Sequence, residues 1–202
     1  SLVLVWNKMT TANRPNAPVS GPDFQDFREQ TKMFADFAGA IAVRATITGE
    51  SRPEQIMLGW GTDNLFKVLS VRPFIGRDFE PADGAAIDPK KFMDPNSKLP
   101  PGALILTHGM WRRQFGSDPK VLGKTLQIDG QACVIVGVLP PEFRVYLPSY
   151  AGMPTNIDAF RAFPFDFSKA PRDGEFLTVV SHLKPGVTVE QAQSEMDALS
   201  AR

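Results

Sequence analysis

The chain has 202 residues, enough to bury a substantial core as one domain or as two small lobes. Its apolar fraction of 43% and charged fraction of 22% are those of an ordinary globular protein. Lysine plus arginine equals aspartate plus glutamate, 22 each, so the chain lacks the basic excess of an electrostatic nucleic-acid binder. The single cysteine, Cys133, can form no disulfide within the chain and anchors no cysteine-based zinc site.

Leu2 to Trp6 reads as a short apolar strand, followed by a polar, proline-bearing link to Pro18. Ser20-Gly21-Pro22-Asp23 is a helix start, with Ser20 as cap and Asp23 in the first turn. Phe24, Phe27, Thr31, Phe34 and Ala38 then fall on one helical face, which predicts an amphipathic helix over Asp23 to Phe37. Ile41 to Thr48 and Gln55 to Trp60 are two strands joined by a turn. Asp63 to Leu69 is a short helix, and Phe74 to Phe79 a compact turn. Glu80 to Gly102 holds five prolines and little periodicity, which predicts a long surface loop over 80–102.

Ala103 to Phe143 carries the densest local signals. A strand at Ala103 to Thr107 leads into a short helix with Trp111, Arg112, Arg113 and Phe115, ended by Gly116. Ser117-Asp118-Pro119 is a further helix start. Leu126 to Ile128 and Ala132 to Leu139 are strands joined by Asp129-Gly130, a strong hairpin signal. The second is apolar on both faces, as a central strand should be, and Pro140-Pro141 stops it. Ile157 to Phe165 predicts an edge strand and Glu175 to Leu183 a clear one. Thr188 with Gln191 forms a capping box for a last helix that buries Val189, Ala192, Met196 and Leu199.

The fold class expected from this order is α+β with two lobes. A discontinuous α/β lobe comprises 1–73 plus 166–202, and a mixed α+β lobe over 74–165 is inserted in it. No apolar run reaches the ~18 residues of a membrane span, and both ends read as internal to a longer polypeptide.

Reactive chemistry is sparse. His108 and His182 stand without a G-x-S-x-G elbow or a metal-ligand spacing, and both read as structural. Cys133, in the most apolar strand, reads as a buried thiol. Gly59-Trp60-Gly61 lacks the third glycine of a dinucleotide fingerprint and reads as a strand end. Arg112-Arg113 beside Trp111 and Phe115 reads as the outer face of a helix that packs its aromatics inward. The phenylalanines of Phe160 to Phe167 either fill the core or line a groove. No catalytic, cofactor-binding or metal residue is singled out, and the expected cofactor list is none.

The series Val-Ser-Gly-Pro-Asp-Phe-Gln-Asp-Phe-Arg-Glu-Gln (Val19 to Gln30) resembles the opening motif of MacB-type periplasmic core domains. Asn64 to Pro73 is similar to that family's N-x-F-x-V-L-G-V-x-P segment, and Gly76-Arg77-Asp78-Phe79 to its G-R-x-F. Leu104 to Phe115 resembles its strand followed by S-H-x-x-W-R-R-x-F, with Thr107 in place of serine. Asp118 to Lys124, Gly137 to Phe143 and Leu183 to Thr188 continue the series in the same order. Two departures are the length of the 80–102 loop and Phe160, where the family commonly has tryptophan.

The resemblance implies an extracytoplasmic domain set between the first two membrane helices of an ABC transporter permease, on the periplasmic face of the bacterial inner membrane. It implies a porter-like outer lobe and a second lobe inserted in it. It also implies a non-catalytic role, in which ATP hydrolysis elsewhere drives this domain to act on substrates outside the membrane. The implied partners are the protein's own membrane helices, a cytoplasmic ABC ATPase, a periplasmic adaptor protein, and a second copy in a homodimeric transporter. Two rival readings are a freestanding extracytoplasmic ligand-binding module, built on Tyr146 to Phe167, and a hydrolase assembled around His108 or His182.

Overall fold

The computed structural model describes residues 1–9, 14–48, 53–84, 87–88, 90–91, 94, 97, 99–145, 147, 151–164 and 166–200. Its strands are β1 (Leu2–Val5), β2 (Asn7–Met9), β3 (Arg14–Ala17), β4 (Val19–Ser20), β5 (Phe34–Thr48), β6 (Glu54–Gly61), β7 (Ile75–Gly76), β8 (Gly102–Leu106), β9 (Thr125–Ile128), β10 (Gln131–Val138), β11 (Ala159–Ala162) and β12 (Glu175–Leu183). Among the described residues the helices are α1 (Gly21–Gln30), α2 (Leu65–Val68), α3 (His108–Phe115) and α4 (Val189–Ser200). The chain divides into an outer unit, Ser1–Gly39 with Phe167–Arg202, and an inner unit, Ala40–Asp166.

In the outer unit β12 pairs antiparallel with β1, from Leu2 opposite His182 to Val5 opposite Val179, and with β4. Helix α1 starts as its sequence dictates: the Ser20 hydroxyl accepts from the Asp23 amide at 3.2 Å and a proline occupies the first turn. It ends at Gln30, not at residue 37. Thr31 is extended, with φ −83° and ψ 147°, and its hydroxyl donates to the Phe27 carbonyl at 2.7 Å. Phe34 and Ala38 therefore belong to β5. The helical stripe was mimicked by two elements that bury one aromatic cluster, Phe37 lying 6.2 Å from Phe27 and 4.8 Å from Phe34 between ring centroids.

In the inner unit the strand pairings close on themselves. β5 pairs antiparallel with β6, β6 parallel with β11, β11 antiparallel with β8, β8 parallel with β10, and β10 antiparallel with β9. β9 returns to β5 at Ile47–Ile128 and Thr48–Gln127, so the sheet forms a ring that leaves β7 beside β10. The Asp129-Gly130 turn joins β9 to β10 with φ of 49° and 76°, the left-handed pair that such a hairpin needs. The same Asp129 carboxylate accepts from the Thr46 amide at 2.9 Å and so pins the turn to β5.

One face of this sheet, carrying Ile56, Leu58, Leu104, Ile135 and Ala159, packs against Met110 and Trp111 of α3. On the other, Phe66 of α2 is fully buried against Phe79, Phe143 and Phe160.

Several expectations are corrected. β11, read as an edge strand, lies between β6 and β8 with all its residues buried. Ser117-Asp118-Pro119 opens only a 3-10 turn, Pro119–Val121, because β9 begins four residues later. Val189 is 58% exposed, not buried. Residues 40–73 group with the inner unit, where an outer-lobe range of 1–73 was expected, because β6 pairs with β11 and Phe66 anchors the inner aromatic cluster. Within 80–102, Pro81–Gly84 forms a 3-10 turn held by the paired Arg77–Asp83 contact at 2.6 and 3.1 Å. The Ile87 amide donates to the Pro164 carbonyl, and much of the remainder of that range lies outside the described residues.

Candidate functional site

The weighed residues fall at separate structural positions. His108 opens α3, its ring edge-on to Trp111 at 5.4 Å and to Phe74 at 6.1 Å. His182 lies in β12 of the outer unit, opposite Leu2. Gly59 and Gly61 are in β6, and their lack of a side chain serves packing: a Cβ at Gly59 would lie 2.5 Å from the Phe160 ring, and one at Gly61 2.4 Å from Leu65. Phe160 and Phe163 are buried core residues, as is Phe167, while Phe165 and Tyr146 lie outside the described residues. No group of three His, Cys, Asp or Glu side chains with metal-binding geometry occurs among the described residues.

Cys133 is fully buried in β10, its thiol 3.7 Å from the Gln131 carbonyl, and burial pushes its pKa up. Thiolate is the species that alkylating reagents attack. Native protein at pH 8 is therefore expected to react with iodoacetamide at least about a hundredfold more slowly than unfolded protein, at a rate that follows opening of β10. Mass spectrometry of quenched samples checks this; equal rates would show an open β10.

Sequence reading gave no sign that Arg161 would be a core residue. It is 2% exposed in β11. Its Nη1 donates to Gln131 at 2.8 Å and its guanidinium lies 4.7 Å from the Trp60 ring centroid, while Nε has no hydrogen-bond partner. Burial lowers its pKa below the usual arginine value. The tell-tale is Gly102, where a Cβ would stand 2.4 Å from that Nε.

Among the described residues each unit has a concavity. In the outer unit an apolar groove of about 280 Å³ runs between β1 and α4, lined by Val3, Val5, Phe34, Leu183, Ala192 and Met196. α4 begins with the expected reciprocal cap: the Gln191 amide donates to the Thr188 hydroxyl and the Gln191 side chain accepts from the Thr188 amide. Farther along, the Glu195 carboxylate accepts from the Lys32 and Met33 amides at 2.8 and 3.0 Å, which ties α4 to the turn after α1. In the inner unit a cleft of about 400 Å³ opens beside the first turn of α3, with Arg112, Arg113 and Arg144 around it. Arg113 is engaged by Asp158 at 2.9 Å and by Glu54 at 3.6 Å.

In sequence, the inner unit is inserted between the two parts of the outer unit. The chain belongs to the MacB-like periplasmic core domain family, whose model matches residues 1–199. Among solved structures it is similar to the periplasmic region of MacB from Actinobacillus actinomycetemcomitans, at 12% identity and a TM-score of 0.64. That match covers 99% of this chain and 82% of the other. It is also similar to the extracellular domain of the noncanonic ABC-type transporter YknZ from Gram-positive bacteria, at 17% identity and a TM-score of 0.57, covering 96% and 86%. No curated protein matches the chain in sequence. The relatives are periplasmic or extracellular parts of membrane permeases; among the described residues no helix is long and apolar enough to cross a membrane.

Proposed function

We propose that the chain is the extracytoplasmic coupling domain of an ABC transporter permease, without catalysis of its own. Movement of the membrane helices, driven by ATP hydrolysis in a cytoplasmic ABC ATPase, passes through it to substrates or partner proteins outside the membrane. The observation that supports this is the placing of the chain's first strand and last helix. β1 and α4 border one groove in the outer unit, and Glu195 links α4 to the turn that leads into β5, a strand that runs on into the inner unit. A displacement applied to β1 or α4 thus acts on elements joined by strand pairing and by a charged double hydrogen bond. In this reading the periplasmic face of the bacterial inner membrane is its location. A homodimer and a periplasmic adaptor complete the working assembly.

The test uses the intact permease with its ATPase in lipid nanodiscs. Trapping with ATP and vanadate is expected to change hydrogen-exchange protection of the α4 amides by about tenfold or more, together with those of residues 34–39. In Glu195→Ala the change in α4 persists and that in 34–39 is lost. Unaltered protection of residues 189–200 on trapping would rule out coupling through this helix.

A further inference from the structure

The inner-unit cleft has a charge and shape that coupling does not require. Its floor and rim come from the first turn of α3 and the segments around Phe143 and Asn156. The Thr107 side chain caps α3, accepting from the Met110 amide at 3.3 Å, and also donates to the Asp158 carbonyl at 2.8 Å, so the helix end is held in place. The amides of His108 and Gly109, in that first turn, have no acceptor within the helix. The cations around them are unequal. Arg113 is neutralised by Asp158 and Glu54. Arg144 is exposed, and its Nη1 donates to the Pro141 and Phe143 carbonyls at 2.8 and 2.7 Å, contacts that orient the guanidinium without cancelling its charge. Arg112 is exposed and forms no ion pair among the described residues. The cleft therefore holds two uncompensated guanidinium groups on a chain whose net charge is zero.

Apolar surface adjoins them. Phe143 and Val145 are half-buried within the cleft. Phe74, 57% exposed, stands edge-on to His108, which lines the cleft.

From this juxtaposition we propose that the cleft docks an acidic, extended segment of a protein partner, with carboxylates on Arg112 and Arg144 and a neighbouring apolar side chain against Phe74 and Phe143. Guanidinium forks match carboxylates geometrically, and the open cleft suits a chain passing through it. A lipid surface is disfavoured, because the net charge of zero supplies no long-range attraction to anionic headgroups, and Phe74 is the one exposed aromatic among the described residues. The proposal goes beyond the coupling role and stands whether or not the outer unit transmits motion.

The test is fluorescence anisotropy on the 1–202 chain with a labelled acetyl-Glu-Glu-Phe-Glu-Glu peptide. The version with glutamine at every glutamate is expected to bind at least about tenfold more weakly, and so is the glutamate peptide on the Arg112→Glu/Arg144→Glu protein. Lys124→Glu, an exposed charge reversal away from the cleft, leaves the affinity unchanged, and added salt weakens binding. If the double variant loses its thermal transition, Arg112→Gln alone serves, with a loss of about threefold expected. Equal behaviour of the two peptides, including no binding by either, overturns the proposal, as does an equal loss on Lys124→Glu. Full competition by succinate at the peptide's own concentration would assign the cleft to small dicarboxylates instead. Capture of phosphatidylglycerol vesicles without peptide binding would assign it to lipid.

Discussion

Phe66→Ala is expected to destabilise the inner unit by about 3–5 kcal/mol, which at this chain length lowers its melting temperature by roughly 10 °C. Phe66 has no exposed surface, and its ring meets those of Phe79, Phe143 and Phe160 at centroid distances of 5.7, 5.8 and 5.2 Å. These neighbours come from three different segments, so a side chain removed at their centre leaves a cavity that no single local movement can fill. Phe74→Ala provides the comparison. It removes the same atoms from a site 57% exposed, with an edge-on contact to His108 and a tilted one to Trp111, and should cost under about 1 kcal/mol. Urea denaturation followed by far-UV circular dichroism measures both. Similar losses for the two variants would mean that Phe66 is not the centre of this cluster.

The second large effect concerns Arg161 and Gly102. A guanidinium 2% exposed, with no carboxylate against it among the described residues and an unpaired Nε, carries a desolvation cost that one amide contact and a Trp60 ring offset only in part. Arg161→Met keeps most of the volume and removes the charge, so it is expected to raise stability by about 1–3 kcal/mol. Gly102→Ala acts in the opposite sense. Its Cβ would press within 2.4 Å of Nε and 2.8 Å of Cζ, in a strand whose backbone is fixed by β10 and β11, at a cost of about 2 kcal/mol. In the Arg161→Met background the flexible thioether can turn aside, and the cost of Gly102→Ala should fall by at least about 1 kcal/mol. This double-mutant cycle is read from the same urea curves. Additive effects would place the Gly102 constraint in the backbone alone. A loss of stability in Arg161→Met would show that the Gln131 and Trp60 contacts outweigh desolvation.

The fold was legible in the sequence wherever a short-range rule governs. The Ser20 and Thr188 caps, the Asp129-Gly130 hairpin and the inward turn of Trp111 each depend on residues within four positions of one another, and each stands where the sequence placed it. The ordered motifs from Val19 to Thr188 were equally legible, because a family pattern is a property of the chain itself, and they lead to the family that the whole-chain match assigns.

What failed was decided between distant residues. Phe24, Phe27, Phe34 and Ala38 satisfy a helical period, yet Phe34 and Ala38 are in β5, where strand pairing outweighs local periodicity. β11 has the short, mixed composition of an edge strand; only its pairing with both β6 and β8 makes it central and draws Arg161 into the core with it. The closing of the inner sheet at Ile47–Ile128, and the meeting of Arg112 with Arg144 at one cleft, join positions far apart in the chain. No local signal encodes such meetings, since they arise only once loop-closure entropy has been overcome by the burial that the assembled sheet provides.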